Sequence, residues 1–99
     1  MQPQLLAEVT LYARGGRKGP VRGPVYGCSC LLAKDAVHVR DCRILLDGKR
    51  LLLGQPCKVG FVFLSPDSAA IFKAAGRFYL WEGKLIGEAV VVRPHSRQT

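Results

Sequence analysis

From Leu5 to Ala13 every odd position is apolar (Leu5, Ala7, Val9, Leu11, Ala13), while Glu8, Thr10 and Tyr12 fall on even ones. Side chains of an extended chain alternate between two faces, whereas a helix repeats every ~3.6 residues, so this segment reads as a strand with one buried face. The same grammar continues downstream. Val25 to Ala33 reads as a second strand and Ala36 to Val39, with His38 among β-branched neighbours, as a short third. Arg43–Leu46 and Arg50–Leu53 flank Asp47-Gly48-Lys49, where Asp-Gly supplies the positive φ angles of a tight hairpin. Cys57 to Leu64, rich in Val and Phe, reads as a strand buried on both faces. Phe78–Glu82 and Lys84–Arg93 form a last hairpin around Gly83, and Pro94 opens a polar tail, 94–99. One helix interrupts the strands at about 66–75: Ser65 offers a capping hydroxyl, Pro66 suits a first turn, Asp67 faces the dipole and Gly76 can stop it. Short strands punctuated by turn signals every roughly 8–12 residues indicate an all-β sandwich or closed barrel, and closure is favoured because it leaves no unpaired edge.

Composition bounds the rest. With 99 residues the chain is expected to form a single domain, 1–99, and 48% hydrophobic content with 22% charged residues suits a packed core rather than disorder. The longest uncharged run, Gly23 to Ala33, falls far short of the ~18–20 residues of a helical membrane span, so no membrane partner is expected. The opening Met-Gln-Pro-Gln-Leu-Leu lacks the basic and apolar regions of a secretory signal, which makes the cytoplasm the expected compartment.

Catalytic and cofactor motifs are missing. Gly48-Lys49 is followed by Arg50 and Gly83-Lys84 by Leu85, so neither completes a phosphate-binding loop, and no pair of glycines at i and i+2 permits a dinucleotide fingerprint. Gly27-Cys28-Ser29-Cys30-Leu31 misses the nucleophile elbow at its last position. Cys28, Cys30, Cys42 and Cys57, with His38, supply enough ligand atoms for a metal but not the paired spacing of a zinc site. They read as buried, reduced thiols; Cys28 and Cys30, at i and i+2 in a strand, can enter a core together. His95 lies in the tail. The chain is thus expected to be no enzyme, to use no cofactor or metal and to bind no nucleotide by itself.

Charge is the informative signal. Fifteen Lys and Arg against seven Asp and Glu give a net charge of +8, which points to an anionic partner. It concentrates in Arg14–Pro24, a stretch of glycines, prolines and the four cations Arg14, Arg17, Lys18 and Arg22 that neither helix nor central strand tolerates. Such a basic loop, 14–24, suits phosphate contacts, and Tyr12, Tyr26, Tyr79 and Trp81 are candidate stacking partners.

The order of motifs resembles the C-terminal barrel (domain III) of elongation factor Tu and related translational GTPases. Glu8-Val-Thr-Leu-Tyr12, Gly15-Gly-Arg17 and the strand after Gly23-Pro24 are similar to its opening. Arg50-Leu-Leu-Leu-Gly-Gln-Pro56 with Lys58-Val-Gly-Phe-Val-Phe-Leu-Ser-Pro66 is similar to its central strands, and Gly76-Arg-Phe-Tyr-Leu-Trp-Glu-Gly83 with Ile86-Gly-Glu-Ala-Val-Val-Val92 to its closing hairpin. The likeness covers about residues 7 to 93. It departs at Val25, where the family has glutamine, and at Asp67–Ala75, longer and more apolar than the family's loop. The resemblance implies a closed antiparallel six-stranded barrel, about 5–93, that binds RNA of tRNA-like form through Arg14, Arg17, Lys18 and Arg22 and the turn Glu82, Gly83, Lys84. The other reading is a protein-interaction module that docks to a translational GTPase or self-associates, with Ile71 and Phe72 as an exposed contact patch. The family's GTPase domain has no counterpart in these residues.

Overall fold

A computed structural model describes residues 2–93; the tail from 94, with His95, lies outside them. Six strands, β1 (Leu5–Leu11), β2 (Val25–Leu31), β3 (Arg40–Leu45), β4 (Cys57–Phe63), β5 (Arg77–Trp81) and β6 (Leu85–Val91), and one helix, α1 (Ser68–Ala75), follow in that order. The strands close a barrel in the spatial order β1-β4-β3-β2-β5-β6. Every neighbouring pair is antiparallel. The expected six-stranded barrel with one short helix is what the chain forms.

Alternation in β1 does what its sequence predicts. Leu5, Ala7, Val9 and Leu11 are buried while Leu6 and Glu8 are exposed, so one face fills the barrel and the other meets water. Four phenylalanines form the centre of the core. Phe61 and Phe78 meet edge to face at 5.2 Å between ring centroids, and Phe72 of α1 lies 4.6 Å from Phe78 and 5.2 Å from Phe63. The helix therefore plugs the barrel. Phe72 is fully buried and Ile71 half-buried, so the expected exposed pair does not exist: the apolar face of α1 packs inward, where Phe72 meets Phe63 and Phe78.

Local turn chemistry holds up well. Asp47 and Gly48 have φ of 50° and 83°, and the Lys49 amide donates to Leu46 carbonyl at 2.9 Å, the primed turn that Asp-Gly favours. Gly76 ends α1 in the left-handed region at φ 81°. At Gly87 the constraint is space rather than torsion, since a Cβ there would sit 2.7 Å from the Thr10 carbonyl oxygen where β1 and β6 pair.

Three expectations need correction. Arg50–Leu53 does not pair with Arg43–Leu46, because both edges of β3 are taken: Leu45 opposes Val25 of β2 on one side and Gly60 of β4 on the other. Leu51 instead bridges Val21 and Leu53 bridges Leu11. Ala36–Val39 is a connection and not a strand; β3 starts at Arg40 opposite Cys30, and Val37, His38 and Val39 face solvent. The helix starts at Ser68, two residues later than Pro66, with Asp67 as its cap residue, and no side chain caps it. Ser65 Oγ is diverted, donating to Asp67 Oδ1 at 2.6 Å, which holds that carboxyl below its usual range. Ser68, fully buried, accepts from Arg40 Nη1 at 3.2 Å.

Candidate functional site

The basic loop between β1 and β2 is tied to the barrel at several points. Gly16 is buried so close to β6 that a Cβ would lie 3.1 Å from Ile86 carbonyl oxygen. Val21 is buried and exchanges both backbone bonds with Leu51, at 3.0 and 2.8 Å. Between these anchors, Arg17 reaches across the barrel mouth. Its Nη1 donates to Glu82 Oε1 at 2.8 Å and to the Tyr26 hydroxyl at 3.1 Å, its Nε donates to Gly19 carbonyl at 3.3 Å, and its guanidinium stands 5.3 Å from the Tyr26 ring centre. The Tyr26 hydroxyl in turn donates to Glu82 Oε2. Burial and the bond to Glu82 push the Tyr26 phenol well above its usual value.

Two expected interface residues, Arg17 and Glu82, are thus brought together, although 65 positions separate them. Their pairing changes what Arg17 can do. Its charge is answered by the Glu82 carboxylate and its Nε and Nη1 donors by Gly19, Tyr26 and Glu82, so it acts as a strut of the barrel mouth. Gly83, at φ 75°, makes the β5–β6 turn, in which the Glu82 amide donates to Lys84 carbonyl at 2.9 Å. Arg14, Lys18, Arg22 and Lys84 are exposed and form no ion pair among the described residues.

A second basic cluster was hidden in the sequence by the wrong strand pairing. The antiparallel Val21–Leu51 bridge sets Arg22 beside Arg50, and these two with Lys49 line one shallow pocket floored by Gly23, Pro24 and Gly48. No carboxylate belongs to that lining. Lys49 Nζ donates to Lys58 carbonyl at 2.7 Å, which orients the ammonium without neutralising it. Like charges set side by side repel, and an anion between them relieves the repulsion. From the sequence Lys49 and Arg50 are turn and strand residues; the signal that marks them is the Gly48-Lys49-Arg50 run, meaningful once Leu51 is known to pair with the basic loop.

The remaining candidates are elsewhere. Tyr79 lies under Lys34 Nζ at 5.6 Å, while Tyr12 is half-buried with its hydroxyl unpartnered. Burial, with the Glu88 carboxylate behind it, raises the Tyr12 phenol. Cys28, Cys30 and Cys42 gather inside the barrel, but His38 and Cys57 do not join them, and among the described residues no group of three or more His, Cys, Asp or Glu is arranged to hold a metal ion. No helix among those residues is long and apolar enough to cross a membrane. Compared with known proteins, the chain matches no family model and none of the curated sequences.

Proposed function

We propose that this barrel is a non-enzymatic RNA-binding module that receives the phosphate backbone of a tRNA-like RNA on its basic loop and the adjoining Lys49–Arg50 turn. One observation carries the reading: Arg22, Lys49 and Arg50 converge on a pocket with no carboxylate in its lining. Arginine forks bind phosphate oxygens in pairs, so two arginines beside one depression, with Lys49 in its wall, suit a backbone phosphate. Exposed Arg14, Lys18 and Lys84 extend the positive surface. The motif resemblance to a tRNA-contacting barrel favours RNA over DNA. Arg17, Glu82 and Gly83 serve this surface by holding its frame at the barrel mouth.

Binding of the purified chain to bulk tRNA and to a matched DNA duplex, titrated across salt, tests the proposal. Preference for tRNA is expected, with log affinity falling linearly against log salt at a slope of roughly −0.7 to −0.9 for each phosphate contacted. Equal affinity for both nucleic acids, or no binding near physiological salt, overturns it.

A second reading, docking to a protein such as a translational GTPase or to a second copy, is favoured by a different surface. Val37 is 88% exposed and Leu64 67%, and Val39 and Leu64 line one depression beside Ser65. If this surface is the functional one, Leu64→Ser abolishes self-association or partner capture in sedimentation while tRNA binding is unchanged.

A further inference from the structure

β2 and β3 set three thiols on one patch of the barrel interior. Cys28 opposes Cys42 in the ladder, and Cys30, two residues on, turns to the same face. Cys42 Sγ lies 3.6 Å from Cys28 Sγ and accepts a hydrogen bond from Cys30 at 3.0 Å. Cys30 and Cys42 are buried, whereas Cys28 is half-buried. A depression on the wall of the barrel is bordered by Cys28 and Cys42 together with Asp41 and Arg43.

Geometry selects which two sulfurs can join. Directly opposed antiparallel residues have Cα atoms roughly 4.5–5.5 Å apart, inside the ~4.4–6.8 Å that a disulfide spans. Diagonal neighbours such as Cys30 and Cys42 stand roughly 7–8 Å apart and would need the strands to shift. We propose that Cys28 is an oxidant-reactive thiol and that a hydroperoxide converts Cys28 and Cys42 into a cross-strand disulfide, with Cys30 and Cys57 left reduced.

The chemistry balances with the hydroperoxide as the oxidant. Cys28 thiolate attacks the peroxide oxygen; a sulfur–oxygen bond forms, the O–O bond breaks, and the departing oxygen leaves as an alcohol, or as water from hydrogen peroxide, after taking a proton. Cys42 sulfur then attacks the Cys28 sulfenic acid. The S–S bond forms, the S–O bond breaks, and hydroxide leaves with the Cys42 proton as water, so two thiols lose one electron each to the peroxide. Bonding to the neighbouring Cys30 and Cys42 thiols lowers the Cys28 thiol below its ordinary value, against the opposing effects of burial and of the Glu82 and Asp41 carboxylates. The neighbouring thiols and burial raise both Cys30 and Cys42, so Cys28 ionises first and backbone spacing decides which neighbour joins it.

The inference is independent of RNA binding. The native chain is treated with one equivalent of hydrogen peroxide, its remaining thiols are alkylated, and peptides are mapped by tandem mass spectrometry. A loss of two hydrogens, alkylation confined to Cys30 and Cys57, and a Cys28–Cys42 linked peptide that a thiol reductant releases are expected. Alkylation of Cys28 at full yield, a link through Cys30 or Cys57, or protection removed by a chelator instead of a reductant overturns the proposal. In Cys42→Ser, Cys28 sulfenic acid should accumulate and be captured by dimedone; the map of the native chain decides whether or not that variant folds.

Discussion

Arg17 and Arg22 lie five places apart in one loop, carry the same side chain, and have opposite situations. Arg17 is folded over Tyr26 and paired with Glu82, its side chain 27% exposed. Arg22 is exposed beside Arg50 and Lys49, with no carboxylate lining their shared pocket. In the first case the charge has been spent on closing the barrel mouth; in the second it remains available to a partner. Density of cations along a chain therefore locates a basic region but does not say which members bind, because that depends on which anions the fold brings within reach.

Both regions stand on one closed frame, and losing the frame is the most drastic way to break the contrast. Phe72→Ala removes the ring that plugs the barrel end and should lower unfolding free energy by about 3–5 kcal/mol in denaturant titration. A variant that keeps its stability would mean that α1 packs as a surface element instead. More selectively, replacing Arg22 and Arg50 together by alanine should weaken tRNA binding by roughly 10- to 100-fold and flatten the salt slope by about two phosphate contacts, with the midpoint of thermal unfolding unchanged. Retained affinity would erase the distinction between the two arginines.

The reverse experiment sharpens it. Glu82→Gln releases Arg17 from its partner, so stability should fall by up to about 1 kcal/mol, as for other partly exposed ion pairs, while tRNA affinity rises a few-fold. Loss of affinity would show that Arg17 already contacts RNA with Glu82 in place. The smallest effect is expected from pH. Tyr26 has an ordinary phenol value of 10.0 when unfolded and a raised one when folded, so its contribution to stability is complete below about pH 10 and declines as pH rises above that. Tyr26→Phe should remove this alkaline decline, and an unchanged pH profile would count against the Tyr26–Glu82 bond.

What the sequence disclosed was what short stretches of chain decide among themselves. Alternation in Leu5–Leu11, the Asp47-Gly48 turn, the left-handed Gly76 and the Gly83 turn all express torsional or side-chain preferences a few residues long. What it concealed was decided by partners far along the chain. Arg50–Leu53 has the composition of a hairpin arm, yet the neighbouring strand has no free edge, so it turns to the basic loop and builds the Arg22–Arg50 pocket there. The Arg17–Glu82 pair and the thiol cluster arise in the same way, from register and closure. Ala36–Val39 failed for the converse reason, since strong β-forming residues make a strand only where a neighbour is available to pair.

Closure also sets the order in which the molecule can assemble. The seam of the barrel joins β1 to β6, with Ala7 opposite Val91, so the first strand of the chain acquires its second neighbour only when the last has formed. A nascent or refolding chain must hold β1 with both edges bare until β4 forms and with one bare until β6 does, and must bring most of the barrel into a ring before that last edge is satisfied. Such a topology folds slowly, on the order of milliseconds to seconds, for a chain of this size. Its most vulnerable interval for strand-to-strand aggregation is the time before β6 arrives.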